Sequence, residues 1–168
     1  MDDFPPRAAA NANTDERAGA RSTLRLWLRL LSCTNLVEGE IRRRLRRDFA
    51  VTLPRFDLMA QLATAPDGMT MGELSRGMMV SNGNVTGIAD RLASEGLIVR
   101  QADANDKRTT RVRLTEDGRA SFAAMAAVHH GWIRNLFDGL TPTEVEQLMA
   151  LLAKLKRSVE EDAQAEDM

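Results

Sequence analysis

The run from Asp106 to Gly118, Asp-Lys-Arg-Thr-Thr-Arg-Val-Arg-Leu-Thr-Glu-Asp-Gly, constrains this chain more than any other stretch. Thr110, Val112 and Leu114 fall on one face and Arg111 and Arg113 on the other, the period of a half-buried strand. Thr115 stands where a helix would begin, and Glu116 and Asp117 suit its positive end. A second strand is predicted just upstream, at Leu97-Ile98-Val99-Arg100-Gln101. Between the two lies Ala102 to Thr109, rich in Asp, Asn, Lys and Arg, the composition of an exposed turn. The pair reads as a β-hairpin with a cationic tip, set between helices. Such a tip can reach a phosphate backbone or a narrow minor groove.

The helices on either side follow from apolar spacing. Leu24, Trp27, Leu28, Leu31, Leu36, Ile41, Leu45 and Phe49 predict one long helix from about Ser22 to Asp48. Thr52-Leu53-Pro54 ends it and opens the next, because proline is tolerated in a first helical turn. Phe56, Leu58, Met59, Leu62 and Ala63 give that second helix its apolar face. After the turn Ala65-Pro66-Asp67-Gly68, Thr70 and Glu73 have the spacing of a capping box at the head of a short third helix, with Met71, Leu74 and Met78 inward. Ser81 caps a fourth helix from Asn82 to Ser94, closed by Glu95-Gly96, with Val85, Ile88, Ala89 and Leu92 inward. Beyond the hairpin a long helix is expected from Thr115 to Phe137. A last one opens at Thr141-Pro142-Thr143-Glu144 and carries the stripe Leu148, Leu151, Leu152, Leu155, Val159. Helix, turn, helix, then a two-stranded ribbon is the order of a winged helix-turn-helix. The expected fold class is therefore mainly α, in the α+β sense, with long N- and C-terminal helices flanking the winged module.

Composition sets the outer bounds. The chain has 168 residues, enough for one core, and 43% of them are hydrophobic. Residues 1–20 are read as a flexible tail and 21–168 as a single domain: the winged module over about 53–118, the flanking helices over about 22–48 and 119–165. There is no run of about 18 apolar residues, and no basic-then-apolar leader, so a cytoplasmic protein without membrane contact is expected. The single cysteine, Cys33, excludes a disulfide framework and a cysteine-based zinc cluster. His129 and His130 are adjacent, so on a helix they point apart and cannot chelate one ion together. With no glycine-rich phosphate loop and no nucleophile–base pairing, no enzyme activity, cofactor or metal is expected. The net charge of −1 does not by itself announce a nucleic-acid binder, but its distribution is uneven. Seven Lys/Arg face four Asp/Glu between Arg76 and Arg113, and three face eight between Asp138 and Met168.

If the fourth helix enters a DNA major groove, its exposed face is Asn82, Gly83, Asn84, Thr86, Gly87 and Arg91, with Ser81 at its head. Asn can pair bidentately with adenine, and Thr can offer a hydroxyl or a methyl to a base edge. Gly83 and Gly87 each cost a helix about 1 kcal/mol relative to alanine, which close approach to DNA would explain. Arg76 and Arg91 could hold phosphates flanking the groove, and Lys107 and Arg111 could add phosphate contacts. Arg113 fits a solvated strand face better. The run Arg42, Arg43, Arg44, Arg46, Arg47 spreads around a helix and is expected to be solvated and salt-bridged rather than a DNA tract.

Asp106, Arg108, Thr109, Leu114, Thr115 and Gly118 match the wing pattern Asp-x-Arg-Ser/Thr, short strand, Leu-Thr-x-x-Gly of the MarR family of bacterial transcription regulators, which this chain resembles from about Leu24 to Val159. The resemblance implies that Arg108 is the wing-tip contact and that Asp106 orients it. It implies a homodimer on a pseudo-palindromic double-stranded operator, usually a repressor, released by a small molecule. In the family such effectors, often aromatic acids, bind where the dimerising helices meet the DNA module. The corresponding positions are Trp27, Leu31, Arg55, Phe56, Met59, Met125, His129 and Trp132, each of which could equally be core. The segments Leu53–Asp57 and Met79–Gly87 look similar to a branch governing aromatic-acid catabolism, some of whose members answer to aromatic acyl-CoA thioesters. A redox sensor built on Cys33 is the nearest alternative. The peroxide-sensing branch activates its cysteine with tyrosine hydroxyls, however, and this chain has no Tyr, while apolar neighbours would raise the Cys33 thiol. A winged module used only for protein contacts is a further alternative, distinguished by weak salt dependence.

Overall fold

The structure, a computed structural model, describes residues 7–78, 81–102 and 110–166. Its order is α1 (Arg7–Phe49), α2 (Leu53–Ala63), β1 (Met69–Thr70), α3 (Met71–Met78), α4 (Asn82–Ser94), β2 (Ile98–Ala102), β3 (Thr110–Leu114), α5 (Glu116–Leu136) and α6 (Pro142–Glu166). This is the winged helix-turn-helix order expected from the sequence. The chain divides within α5 into two compact units, one up to Phe122 and one from Ala123.

Helix α1 begins at Arg7, ahead of the start expected near Ser22 and inside the stretch read as a tail. Residues 7–20 are rich in alanine, the best helix former, but lack the apolar periodicity that marks a packed face. The helix ends where expected. Ala50 takes a left-handed φ of 55°, and the Val51 N–H donates to the Leu45 carbonyl at 3.3 Å, closing the last turn. Proline then occupies the first turn of α2, where its missing N–H costs nothing.

The core of the first unit is built from one face of each element: Ile41 and Leu45 of α1, Phe56, Leu58, Met59 and Leu62 of α2, Leu74 of α3, Val85, Ala89 and Leu92 of α4, Ile98 of β2, and Val112 and Leu114 of β3 are all buried. Each such side chain contributes about 1.5–3 kcal/mol through removal from water. The Phe56 ring also meets Phe122 with centroids 5.4 Å apart. The capping box at α3 is complete: the Glu73 N–H donates to Thr70 Oγ1 at 3.2 Å, and the Thr70 N–H donates back to Glu73 Oε2 at 2.7 Å. Glu73 is accordingly held below its usual carboxylate range by the Thr70 backbone and hydroxyl.

The hairpin strands pair antiparallel, Ile98 opposite Leu114 and Ala102 opposite Thr110. A third strand, absent from the sequence reading, pairs Met69 with Val112 and Thr70 with Arg111, so the order is β1-β3-β2. It also changes the reading of the arginine face of β3. Arg111 Nη1 donates to the Gly68 carbonyl at 3.0 Å and sits 3.7 Å from Glu73. Arg113 Nε donates to the Asp67 carbonyl at 2.9 Å. Both are half-buried ties between the wing and the turn before α3, rather than a solvated face.

In the second unit, Met125 and Trp132 are buried, and the His129 ring meets Trp132 edge-on at 6.2 Å. Burial, and then the neighbouring His130, hold His129 below the usual imidazole range. Thr141 and Glu144 form a second capping box at α6, the Glu144 N–H donating to Thr141 Oγ1 at 3.3 Å. Leu148, Met149, Leu151, Leu152, Leu155 and Val159 of α6 remain exposed.

Candidate nucleic-acid interface

Helix α4 is anchored by Val85, Ala89 and Leu92, which are fully buried, so its opposite face is fixed outward. Gly83, Asn84, Thr86, Gly87 and Arg91 are all exposed on it. Ser81 takes the extended backbone of an N-cap, but its hydroxyl makes no capping bond, contrary to the expected side-chain cap. The cap is made by the backbone alone, the Val85 N–H donating to the Ser81 carbonyl at 3.2 Å. Among the described residues, the exposed Ser81 hydroxyl caps no helix N–H. A Cβ added at Gly83 or at Gly87 would meet nothing within 4 Å, so no packing within the described chain requires glycine at either place.

Two adjoining clefts run beside this helix. One, of about 370 Å³, is lined by Arg42 and Arg46 of α1, Thr52, Leu53 and Pro54 at the head of α2, and Asn84 and Ile88. The other, of about 220 Å³, shares Thr52, Asn84 and Ile88 and adds Arg55, Gly83, Gly87 and Arg91. Basic side chains thus border the short polar face of α4 along its length. Arg76 is exposed in the last turn of α3.

The run of arginines at the end of α1 is mostly neutralised, as expected. Arg42 bonds Glu38 at 2.5 Å, Arg43 and Arg44 share Glu40 at 2.7 and 2.6 Å, and Arg47 bonds Asp48 at 2.5 Å. Hydrogen bonds from Arg43 and then Arg44 push Glu40 down to about 2. Arg46 is different: it has no acidic partner among the described residues, is exposed, and lines the larger cleft beside Asn84. The sequence reading grouped it with the salt-bridged run, although a signal against that was there. No Asp or Glu lies three or four residues from Arg46 on either side.

Arg55, read as a possible effector ligand, is half-buried, ion-paired with Glu95 just past the end of α4, and leaves its buried Nε without a partner. Of the other positions so read, Phe56, Met59, Met125 and Trp132 are buried, while Trp27 and Leu31 are exposed at 58% and 42%. Among the described clefts, only Arg55 of that group lines one. Cys33 is exposed, not enclosed by its apolar neighbours as expected. Asp106, Lys107 and Arg108 at the wing tip, and the side chain of Asn82, lie outside the described residues. Among the described residues no group of three His, Cys, Asp or Glu is placed to hold a metal ion, and no helix is long and apolar enough to cross a membrane.

Comparison with known proteins places this geometry in context. Residues 51–110, from the head of α2 to the wing, match the model of the MarR family. A crystal structure of a MarR family transcriptional regulator from Silicibacter pomeroyi superposes with a TM-score of 0.71 at 32% identity, over 83% of this chain and 96% of that one. The transcriptional activatory protein BadR of Rhodopseudomonas palustris is 31% identical over 117 residues, 67% of this chain and 66% of its own length. The HTH-type transcriptional regulator YkoM of Bacillus subtilis is 40% identical over 80 residues, 48% of this chain. The match spans about half of YkoM, 51%.

Proposed function

This chain belongs to the MarR family of transcriptional regulators, and from that premise we propose that it binds a pseudo-palindromic double-stranded DNA operator as a homodimer and changes its grip when a small molecule binds. The observation that carries the reading is the outer face of α4. Short hydrogen-bonding side chains, and two glycines that no contact in the described chain explains, stand between arginines. Asn84 and Thr86 would read base edges, with Ser81 and Asn82 at the helix head. Gly83 and Gly87 would let the helix backbone approach the groove. Arg46, Arg91 and Arg76 would hold flanking phosphates, which position the helix without reading sequence. Lys107 and Arg108, oriented by Asp106, would reach the backbone or minor groove from the wing. Arg111 is withdrawn from the contact set, since the Gly68 carbonyl and Glu73 already engage it.

A single winged module reads too few base pairs for strong specificity, and a two-fold dimer would place two α4 helices about 34–36 Å apart on half-sites. The exposed apolar residues of α1, Leu24, Trp27, Leu28 and Leu31, and of α6, Leu151, Leu152, Leu155 and Val159, supply the surface. For the effector we infer a small aromatic acid or its CoA thioester. The buried, unpartnered Nε of Arg55 supports a carboxylate at the cleft between α2 and α4. Within the first unit, Trp27, Leu31, Phe56 and Met59 are the apolar candidates to meet the ring. Repression is the expected sign. A relative named as an activatory protein favours the opposite, and a reporter gene under the chain's own upstream DNA decides between them. The exposure of Cys33 supports a second reading, redox control, which would require peroxide to change DNA affinity in the native chain but not in Cys33→Ser.

The test is binding to the chain's own upstream DNA against random DNA across a salt series, with aromatic acids and their CoA thioesters as ligands. Arg46→Ala is expected to weaken binding to every sequence and to lower the salt slope by about one, whereas Asn84→Ala should cost about 1–3 kcal/mol at particular base pairs only. Equal loss by both variants on specific and random DNA would refute this division of roles. Absence of any preference over random DNA would refute sequence-specific binding to that site.

A further inference from the structure

The outward row of α4 meets its first charges only near its end. Gly83, Gly87, Arg91 and Glu95 follow one another by steps of four, so they stand one above the next along the helix. From Asn82 to Glu95 the one cation is Arg91, set against two carboxylates, Asp90 and Glu95. Taken alone, the helix proposed to enter a groove bordered by phosphates is net negative, which phosphates would repel. Both carboxylates are engaged from outside it. Arg100 of β2 bonds Asp90 at 2.6 Å. Arg55 of α2 forms an ion pair with Glu95, 40 residues away in the chain. The second pairing is not the one that helical spacing offers. Of the residues three or four places from Arg91, namely Gly87, Ile88, Ser94 and Glu95, only Glu95 is acidic, and an Arg–Glu pair at that spacing is within reach. In the structure Glu95 is bonded to Arg55 instead, and Arg91 is exposed with no ion-pair partner among the described residues.

We propose that Arg55 is a positioning residue: it holds the Glu95 carboxylate off Arg91 and so keeps the Arg91 cation free for a DNA phosphate. This rests on the assignment of Arg91 to a phosphate above and says what keeps that cation available. The backbone fixes the place from which Glu95 reaches. Helix α4 stops with Gly96 at a left-handed φ of 73°, the Gly96 N–H donating to the Ala93 carbonyl at 3.0 Å and the Leu97 N–H to the Leu92 carbonyl at 2.9 Å. Arg55 lines the cleft of about 220 Å³ together with Gly83, Gly87 and Arg91, so Glu95 has two arginines to choose between. The Arg55 side chain is only 18% exposed, whereas Arg91 is an exposed residue. The less hydrated cation attracts the carboxylate more strongly. With Glu95 itself 44% exposed, such a pair adds little to stability, and its consequence lies in where the carboxylate stands. Without the Arg55 charge, Arg91 is the cation left within helical reach of Glu95, and α4 loses its one charge for a phosphate. Arg100 holds Asp90 in the same manner, although Asp90, next to Arg91 in the chain, faces another side of the helix.

Titration of the full chain, without effector, onto a random-sequence duplex and onto its own upstream DNA across a salt series tests this. Arg55→Met keeps the apolar stem and removes the charge. It should lower the salt slope by about one for each copy bound and weaken binding to both duplexes about 5- to 10-fold at about 0.1 M salt. Arg55→Met with Glu95→Gln should regain the native slope and come within about 2-fold of native affinity, because a neutral side chain at position 95 cannot neutralise Arg91. Glu95→Gln alone should keep the native slope. A steeper slope there would show that the carboxylate repels DNA directly, and would overturn the inference. No recovery in the double variant would mean that Arg55 itself meets a phosphate, and a loss equal at every salt would make Arg55 a structural support alone; either result overturns it. Arg91→Ala separates the two readings. A lower slope there beside a native slope in Arg55→Met overturns this inference only, whereas a native slope in Arg91→Ala overturns the phosphate role on which it rests. Circular dichroism checks the helix content of each variant, and Arg55→Gln takes the place of Arg55→Met if the latter does not fold.

Discussion

Replacing Gly118 by alanine tests whether the wing is locked to the first turn of α5, because two effects predict opposite signs. Gly118 is the third residue of α5, and its N–H donates to the Thr115 hydroxyl at 3.0 Å. That hydroxyl donates in turn to the Gly96 carbonyl at 2.7 Å, and the Thr115 N–H donates to the Leu97 carbonyl at 3.0 Å. A Cβ built on Gly118 would stand 1.9 Å from the Leu97 oxygen, 2.9 Å from its carbonyl carbon and 3.3 Å from the Leu114 methyl. Carbon–oxygen contacts settle near 3.3 Å, so the helix start and the wing base must separate by roughly 1.4 Å. The nearest obstacle is backbone and cannot rotate away. That separation loosens two hydrogen bonds worth about 1 kcal/mol each and disturbs Leu114, which is buried. Against this, alanine in a helix gains about 1 kcal/mol over glycine. The net expectation is a loss of about 2–4 kcal/mol, a large share of an ordinary folding stability of about 5–15 kcal/mol. Urea unfolding followed by circular dichroism reads it as a lower midpoint with unchanged slope. Gly131→Ala is the control in the same helix, where a Cβ meets nothing within 4 Å, and it should be neutral or stabilising. A Gly118→Ala chain as stable as the native one would refute the close approach.

Gly87→Ala should separate stability from function. With open space around its Cβ, it should raise stability by about 1 kcal/mol while weakening specific DNA binding at least 10-fold, and unchanged binding in a gel-shift titration would remove Gly87 from the interface. Asp57→Asn addresses pH. Burial, and then Glu38 across on α1, push Asp57 up from 3.8 to about 6, with Arg42 opposing. The folded chain therefore holds this proton more tightly than the unfolded one, so the group's contribution is greatest at low pH and is lost as pH rises from about 4 to about 6. The variant should be more stable than the native chain by about 1–2 kcal/mol at pH 7, discounted for partial solvent access, and should lose that part of the pH dependence. A native-like pH profile in Asp57→Asn would refute the assignment.

What the sequence disclosed and what it withheld divide along one physical line. The capping box Thr70/Glu73, the helix start at Thr141, the alternation of β3, and the salt-bridging of Arg42, Arg43, Arg44 and Arg47 were legible, because the partners lie within a few residues and the geometry of helix or strand fixes their spacing. The exposed face of α4 was legible for a different reason: once Val85, Ala89 and Leu92 define the inward side, the outward side follows from the helical period. The strand Met69–Thr70 was not, since two residues hold no period. Nor were the ties from Arg111 to the Gly68 carbonyl and from Arg113 to the Asp67 carbonyl. Their acceptors are backbone oxygens more than forty residues away, and every residue in a chain carries such an oxygen, so it leaves no mark on residue type. An arginine facing a phosphate and an arginine facing a distant carbonyl are identical as letters. The same blindness affects Phe56 and Met59, where a pocket wall and a core call for the same apolar side chain. Arg46 escapes it because its spacing excludes the local partners that occupy its neighbours, and Gly83 and Gly87 escape it because a helix pays for them and, in the described chain, receives no packing in return. Residues that local geometry and packing both leave unexplained are therefore the ones that an external partner has to explain, and here they border the same two clefts beside α4.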